Sequence, residues 1–311
     1  MTKQIEVHLY NPSWPIIYEN AAKSIKEALE NNLIEIHHIG STSVPGLSAK
    51  PCIDIIGLVR NFKAAIPALK SIGYESRGEM HLPFREYFRY GKEINLHLYE
   101  GYSPEINLNI AFRDYLRANP EAAQEYQELK DKLLQDSKSS VKNNSNFTGY
   151  NLGKDNFIRS IIAKTKYNEL RLMYCNHHHE WQQYHQIRKT ELFDPYNIVF
   201  NHNHYSMTDP NCYHFVFYKK VEIIGVAMIQ FLADGTAVLR SLATVPSHRN
   251  KGYAKELMFL LEKWVKIRGG KVIKLHSALD AEHFYRKLGY EEVEFNDKGV
   301  SDNVIDLGKV L

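Results

Sequence analysis

"LATVPSHRNKGYAKELMFLLEKW", residues 242 to 264, joins the end of a strand, a basic turn and an amphipathic helix. Residues 236 to 246 are rich in β-branched and apolar side chains and stop at Pro246, which is the pattern of a buried strand. From Ala254 onward, Leu257, Met258, Leu261 and Val265 recur at helical spacing, and Gly269 and Gly270 punctuate the run. "SHRNKGY" is therefore a strand-to-helix turn. The first N–H groups of a helix lack intrahelical partners and its dipole presents the positive end, so anions bind there. Gly252 lets backbone approach a phosphate, Ala254 keeps bulk away, and Arg249 and Lys251 add charge. A diphosphate matches this arrangement.

Downstream, "HSALDAEHFYRKLGYEEVEF" (276 to 295) supplies a strand end, a short helix and a return into another strand. With the R-x-x-G-x-A turn before it, the stretch from about 169 to 311 resembles the GNAT acetyltransferase superfamily. The resemblance implies acetyl-CoA as cosubstrate and a small-molecule amine as acceptor. It assigns the cofactor to Ala243, Val245, Arg249, Asn250, Lys251, Gly252, Tyr253 and Ala254, with backbone N–H groups of the 243 to 245 stretch facing the thioester. Tyr285 stands where the superfamily has its general acid for the departing thiolate, although a tyrosine there also serves as core. Two positions depart from the pattern. Ala278 replaces an asparagine common near the cofactor, and the strand 238 to 241 carries no glutamate for a base. Glu222, Asp209 and His214 are the candidates that remain, acting through water.

Six histidines lie between 177 and 204, in "NHHHEWQQYH" and "NHNHY". A zincin would need H-E-x-x-H, and Gln183 stands where its second histidine should be. No metal is assigned to them, but they could shape an acceptor pocket.

In the first half, the runs Ile34 to Ile39 and Cys52 to Val59 read as strands flanking a loop with Ser41, Thr42, Ser43 and Lys50. Hydroxyls, backbone N–H groups and a lysine there suit a phosphate. Asp54 interrupts an apolar strand, and an unpaired carboxylate at that position would be costly. The segment resembles the GrpB family, as do "NPSW" (11 to 14), "NLHLYE" (95 to 100), the helical stretch 112 to 130 and "YNLGKDNFI" (150 to 158). That family is similar in fold to nucleotidyltransferases, and the resemblance runs from about 5 to 164. It implies a nucleotide or phosphorylated ligand at Ser41, Ser43, Lys50, Asp54 and His97, with Mg²⁺ as a companion ion. Ile56 replaces the second carboxylate that two-metal phosphoryl transfer requires. A different site made from His38, Asp54 and His97 is the alternative, and His97 as a core residue is another. Arg113 reads more naturally as bracing its helix than as a phosphate ligand.

The length of 311 residues accommodates two domains, placed at 1–166 and 167–311. The expected class is α/β (α+β): a nucleotidyltransferase-like mixed sheet with helices, then a GNAT fold with a central mixed sheet flanked by helices. A net charge of +3 with interspersed signs gives no argument for nucleic acid, and no apolar run approaches the roughly 18 residues of a membrane span. Three scattered cysteines, and an N-terminus without a basic segment and apolar run, fit the cytoplasm. The sequons at Asn143 and Asn146 then have no use, and the polar stretch 135 to 146 reads as a loop inside the first domain. Oligomeric state is not legible. The expected activity is N-acetylation by the second domain. The alternatives are a nucleotide- and CoA-binding regulator without turnover, and a nucleotidyltransferase with an accessory GNAT domain.

Overall fold

The computed structural model describes residues 5–136, 147–297 and 303–311. The asparagines of both sequons, Asn143 and Asn146, and all but the first two residues of the polar stretch lie outside them. The chain divides into two compact units, Met1–Arg171 and Leu172–Leu311.

The first unit begins with α1 (Trp14–Leu29), whose Ala21, Ile25 and Leu29 recur every fourth residue and form one buried stripe. Strands β1 (Leu33–Ile39) and β2 (Ile53–Val59) follow, then α2 (Phe62–Ser71), β3 (Glu75–Ser76), β4 (Arg85–Tyr90) and β5 (Ile94–Glu100). They form a mixed sheet of order β1-β2-β5-β4-β3, in which only β2 and β5 are parallel. β2 is buried on both faces because its apolar run does not alternate, and Asp54 is the exception within it.

The stretch 112 to 130 is two helices rather than one. α3 (Pro104–Ala118) ends at Asn119 and α4 (Pro120–Gln135) starts with a proline at its first position. Proline pre-sets the φ of a first turn and disfavours helix in the residue before it, so the break falls at Asn119. Arg113 and Asp114 thus sit in the second half of α3. Helices α5 (Gly149–Leu152) and α6 (Asp155–Lys164) complete the unit.

Strand β6 (Leu170–Tyr174) spans the division between the units, and α7 (His178–Arg188) runs on into a π-helical turn, Lys189–Phe193. Then come β7 (Cys212–Lys219), β8 (Glu222–Phe231), β9 (Ala237–Thr244), α8 (Tyr253–Ile267), β10 (Val272–Ala278), α9 (Glu282–Lys287), β11 (Glu291–Glu292) and β12 (Val304–Val310). The sheet order is β11-β12-β10-β9-β8-β7-β6, and β9 pairs with β10 in parallel. Helix α8 buries Leu257, Met258, Leu261, Trp264 and Val265. Trp264 is fully buried, with the rings of Tyr213 and Phe215 each 4.9 Å away and its Nε1–H donating to Tyr174 Oη at 2.8 Å.

No helix of the described residues is long and apolar enough to cross a membrane, and Cys52, Cys175 and Cys212 are all free thiols.

Candidate functional site

In the second unit, β9 and β10 pair only where Ala237 to Leu239 face Ile273 to Leu275. Beyond that point β9 follows β8 to Thr244 while β10 follows β12 to Ala278, so the strands part. A bulge marks the divergence. Met228 faces Ser241 and Ile229 faces Leu239, which leaves Arg240 as the extra residue that bends β9.

Peptide groups along a strand point alternately to its two edges. The N–H of Val245 donates to Ile224 O on β8 at 3.0 Å, so the peptide groups of Thr244 face the parting. Consistently, Thr244 O accepts from Arg249 Nε at 3.2 Å on that side. The sequence expectation is therefore corrected by one residue. Ala243 and Val245 turn their N–H groups to β8, and Thr244 offers its own to the opening.

The turn after β9 has left-handed backbone at Asn250 (φ 59°) and Gly252 (φ 81°), and Gly252 is the N-cap of α8. These two reversals aim successive peptides outward. None of the N–H groups from Asn250 through Lys255 donates a hydrogen bond among the described residues. Asn250, Gly252, Tyr253, Ala254 and Lys255 line a cleft of about 600 Å³, together with Thr244, His248, Arg249, Phe284, Lys287 and Leu288. Arg249 bonds the Glu191 carboxylate and also lines the cleft, and Lys251 Nζ donates to Ser247 O at 2.9 Å, so both cations brace the turn beside the exposed backbone N–H groups.

Tyr285 lies on α9 directly after Phe284 and is 8% exposed. Burial pushes its pKa up, so the phenol keeps its proton at neutral pH. Of the three candidate bases, His214 is excluded by its bonds. Its Nε2 lies 2.9 Å from Ser206 O and must donate there, while Nδ1 accepts from Tyr184 Oη at 2.8 Å. Burial lowers its pKa to about 4, so it is a neutral core residue. Asp209 accepts from Asn211 N at 2.8 Å and from Gln230 at 3.1 Å, which shapes a turn. Glu222 stands exposed at the β7–β8 turn, 3.8 Å from His248, which lines the cleft.

In the first unit, β2 and β5 place Asp54 opposite Asn95. Asp54 Oδ1 accepts from Asn95 Nδ2 at 2.8 Å and lies 3.9 Å from His97 Nε2. Arg85 Nη1 lies 3.0 Å from His97 Nδ1 and can only donate, so the neutral ring carries its proton on Nε2, towards Asp54. Burial alone would raise the Asp54 pKa, but His97, Asn95 and Lys154 outweigh it and lower it. Gly40 (φ 71°) leans on this carboxylate, since a Cβ there would fall 2.7 Å from Asp54 Oδ2. His38 does not join them. Its Nε2 is 3.0 Å from Thr42 Oγ1, its ring stacks on Tyr18, and burial lowers its pKa to about 4.

Ser43 is removed from the ligand set by its own geometry, for its hydroxyl donates to Gly40 O at 2.6 Å and closes the turn. Ser41 remains half-buried at the start of that turn. Lys50 lies 5.0 Å from the Tyr150 ring centroid, and Lys154 lies 4.5 Å from the same centroid. Burial lowers both pKa values, that of Lys154 to about 8 with help from Lys50 and Lys130. Lys130, 1% exposed, also falls to about 8 through burial, and its ammonium bonds Ser48 O. Lys130 had no sequence signal of its own, because it sits at a helical position that reads as a surface lysine. Arg113 donates to Asp114 and, at 3.0 Å, to His38 O, as a brace would.

Mg²⁺ does not fit this set. Asp54 is its one carboxylate, Ile56 is buried, and ammonium groups occupy the surroundings where a second metal ligand would be needed. Among all described residues no group of three His, Cys, Asp or Glu side chains could hold a metal ion, the histidines of 177 to 204 included.

Residues 4–164 match the family model for GrpB protein. The chain belongs to the GrpB family. Residues 174–290 match the acetyltransferase (GNAT) family, so this GrpB protein carries a GNAT domain in its second half. UPF0157 protein YqkA of Bacillus subtilis is 35% identical over 170 residues, covering 53% of this chain and 48% of its own length. This GrpB protein thus spans about half of that relative. The crystal structure of conserved protein GrpB from Enterococcus faecalis is 37% identical over 50% of this chain and 94% of its own, with a TM-score of 0.44. An aminoglycoside 6'-N-acetyltransferase complexed with coenzyme A is 18% identical over 46% and 96%, with a TM-score of 0.39.

Proposed function

We propose that the GNAT domain, within residues 167–311, transfers the acetyl group of acetyl-CoA to the nitrogen of a small-molecule amine. The observation that carries this reading is the row of unbonded N–H groups from Asn250 through Lys255, set beside the outward peptide of Thr244. The cradle suits a diphosphate, and Thr244 suits the pantetheine amide next to the thioester. The neutral amine attacks the thioester carbon, the C–S bond breaks, and the CoA thiolate takes the Tyr285 proton. The proton lost by the amine nitrogen returns through water to the Tyr285 oxygen, so charge and protons balance. No side chain is needed as a strong base when the amine arrives deprotonated. Three free thiols are in keeping with a reducing compartment such as the cytoplasm.

Gly252→Val is expected to weaken acetyl-CoA binding at least tenfold in a calorimetric titration, with little loss of fold. No atom lies within 4 Å of a Cβ built there, so the substitution does not clash. The left-handed φ is what valine resists, at roughly 1–3 kcal/mol, and relaxing it turns the N–H groups of the cradle away. Unchanged affinity would remove the assignment.

For the first domain, within 1–166 and of nucleotidyltransferase type, we propose binding of a nucleotide or other phosphorylated ligand by Ser41, Lys50 and Lys154, with Asp54 and His97 as its polar wall. Lys50 and Lys154 beside a single carboxylate leave a positive surplus that an anion would satisfy. Nucleoside triphosphates should raise the melting temperature of the wild type equally with and without Mg²⁺. Lys50→Ala with Lys154→Ala should lose that shift. A response that depends on Mg²⁺, or one that survives in the double variant, would defeat this reading.

A further inference from the structure

Helix α7 ends on Arg188, which is 7% exposed. Its guanidinium lies 5.1 Å from the Tyr184 ring centroid, 5.7 Å from that of Phe193 and 5.8 Å from that of Phe200. It makes no ion pair and donates no hydrogen bond among the described residues, and its Nε is a buried donor without a partner. The acids nearby in sequence are engaged elsewhere. Glu191 is taken by Arg249 and by Thr190 Oγ1 at 2.9 Å, and Glu180 by Asn176 N at 2.7 Å and Tyr218 Oη at 3.1 Å. His185 Nδ1, one turn back along α7, is a second buried polar atom without a partner.

Ring faces recover part of the cost of burying a cation, but they leave the in-plane N–H groups of the fork unused. A buried charge without a counter-charge is expensive. The placement adds direction. The π-helical turn immediately after Arg188 brings Phe193 over the guanidinium, and Glu191 in the same turn is the residue that holds Arg249 of the cradle. Tyr184 and Leu192, which flank Arg188 along the helix, pack in one cluster with Ala243 and Val245 at the end of β9. Arg188 itself acts electrostatically on Cys175 and on Cys212 and His214 of β7, which places it under α7 on the β7 side of the sheet.

We infer that Arg188 binds a carboxylate of the acceptor, and that the acceptor class is an amino acid or similar amine bearing a carboxylate. A planar fork with one charge matches a carboxylate in a bidentate pair, and the half-buried rings of Phe193 and Phe200 would receive the apolar remainder, Tyr184 being core. This inference rests on the acetyltransferase reading above.

The test compares the twenty amino acids with their decarboxylated amines, using acetyl-CoA and CoA thiol release, after acetyl-CoA binding to the wild type has been measured by calorimetry. At least one amino acid should exceed its decarboxylated partner tenfold or more in kcat/KM. Arg188→Gln should remove that preference through KM while binding acetyl-CoA as the wild type does, and Arg188→Lys should restore part of it. If acetyl-CoA binds but no amino acid outperforms its amine, whether both react or neither does, the carboxylate assignment is overturned. It is equally overturned if Arg188→Gln keeps the preference. If acetyl-CoA itself does not bind, the acetyltransferase reading falls and this inference with it.

Discussion

Tyr285→Phe should lower kcat about a hundredfold while leaving the affinity for acetyl-CoA nearly unchanged, because a general acid typically contributes a factor of 10² or more. The substitution removes one oxygen and keeps the ring that packs 5.0 Å from Phe284 and 5.7 Å from Tyr290, so the fold should tolerate it. Burial raises the phenol pKa, so the proton sits on the Tyr285 oxygen at neutral pH. The measurement is steady-state thiol release with saturating acetyl-CoA, alongside calorimetry on the same preparation. Full activity in the phenylalanine variant would show that water or CoA itself manages the proton.

Trp264→Ala should destabilise the second unit by about 3–5 kcal/mol, the range for deleting a large aromatic side chain from a core. Trp264 is fully buried, touches rings on β7 and β8, and gives its indole N–H to Tyr174 Oη. It lies about three helical turns from Gly252, so the folded fraction should still bind acetyl-CoA. Chemical denaturation followed by circular dichroism would report the loss. A change below about 1 kcal/mol would mean that the neighbouring rings close the cavity.

The two halves differed in how far their sequences could be read. The strand, turn and helix of 242 to 264 were legible because periodicity, Pro246 and Gly252 each mark a local backbone state, and local states leave a local trace. Which peptide faces the cofactor was not, since that depends on the partner strand. The bond from Val245 to Ile224, 21 residues away in sequence, decides it. The bulge at Arg240 was hidden for the same reason. In the first unit the carboxylate on an apolar strand marked Asp54, but the lysines around it come from a loop, from α4 and from the start of α6, and no spacing rule joins them. Ser43 and His38 looked like ligand groups because hydroxyls and imidazoles are reactive in isolation. The fold spends one on Gly40 O and the other on Thr42. Arg188 gave no sign at all, for a cation late in a helix is ordinary until its surroundings are seen to lack a counter-charge.

The cradle and the surroundings of Arg188 are built from different parts of the chain. The row at Thr244 and from Asn250 to Lys255 consists of main-chain N–H groups, so drift in most side chains there leaves it intact as long as Asn250 and Gly252 keep their left-handed backbone. The surroundings of Arg188 consist of side chains, Tyr184 of α7 with Phe193 and Phe200 after it. On the reading proposed above, a change of acceptor would need a few substitutions in one helix and loop and would leave the coenzyme side untouched.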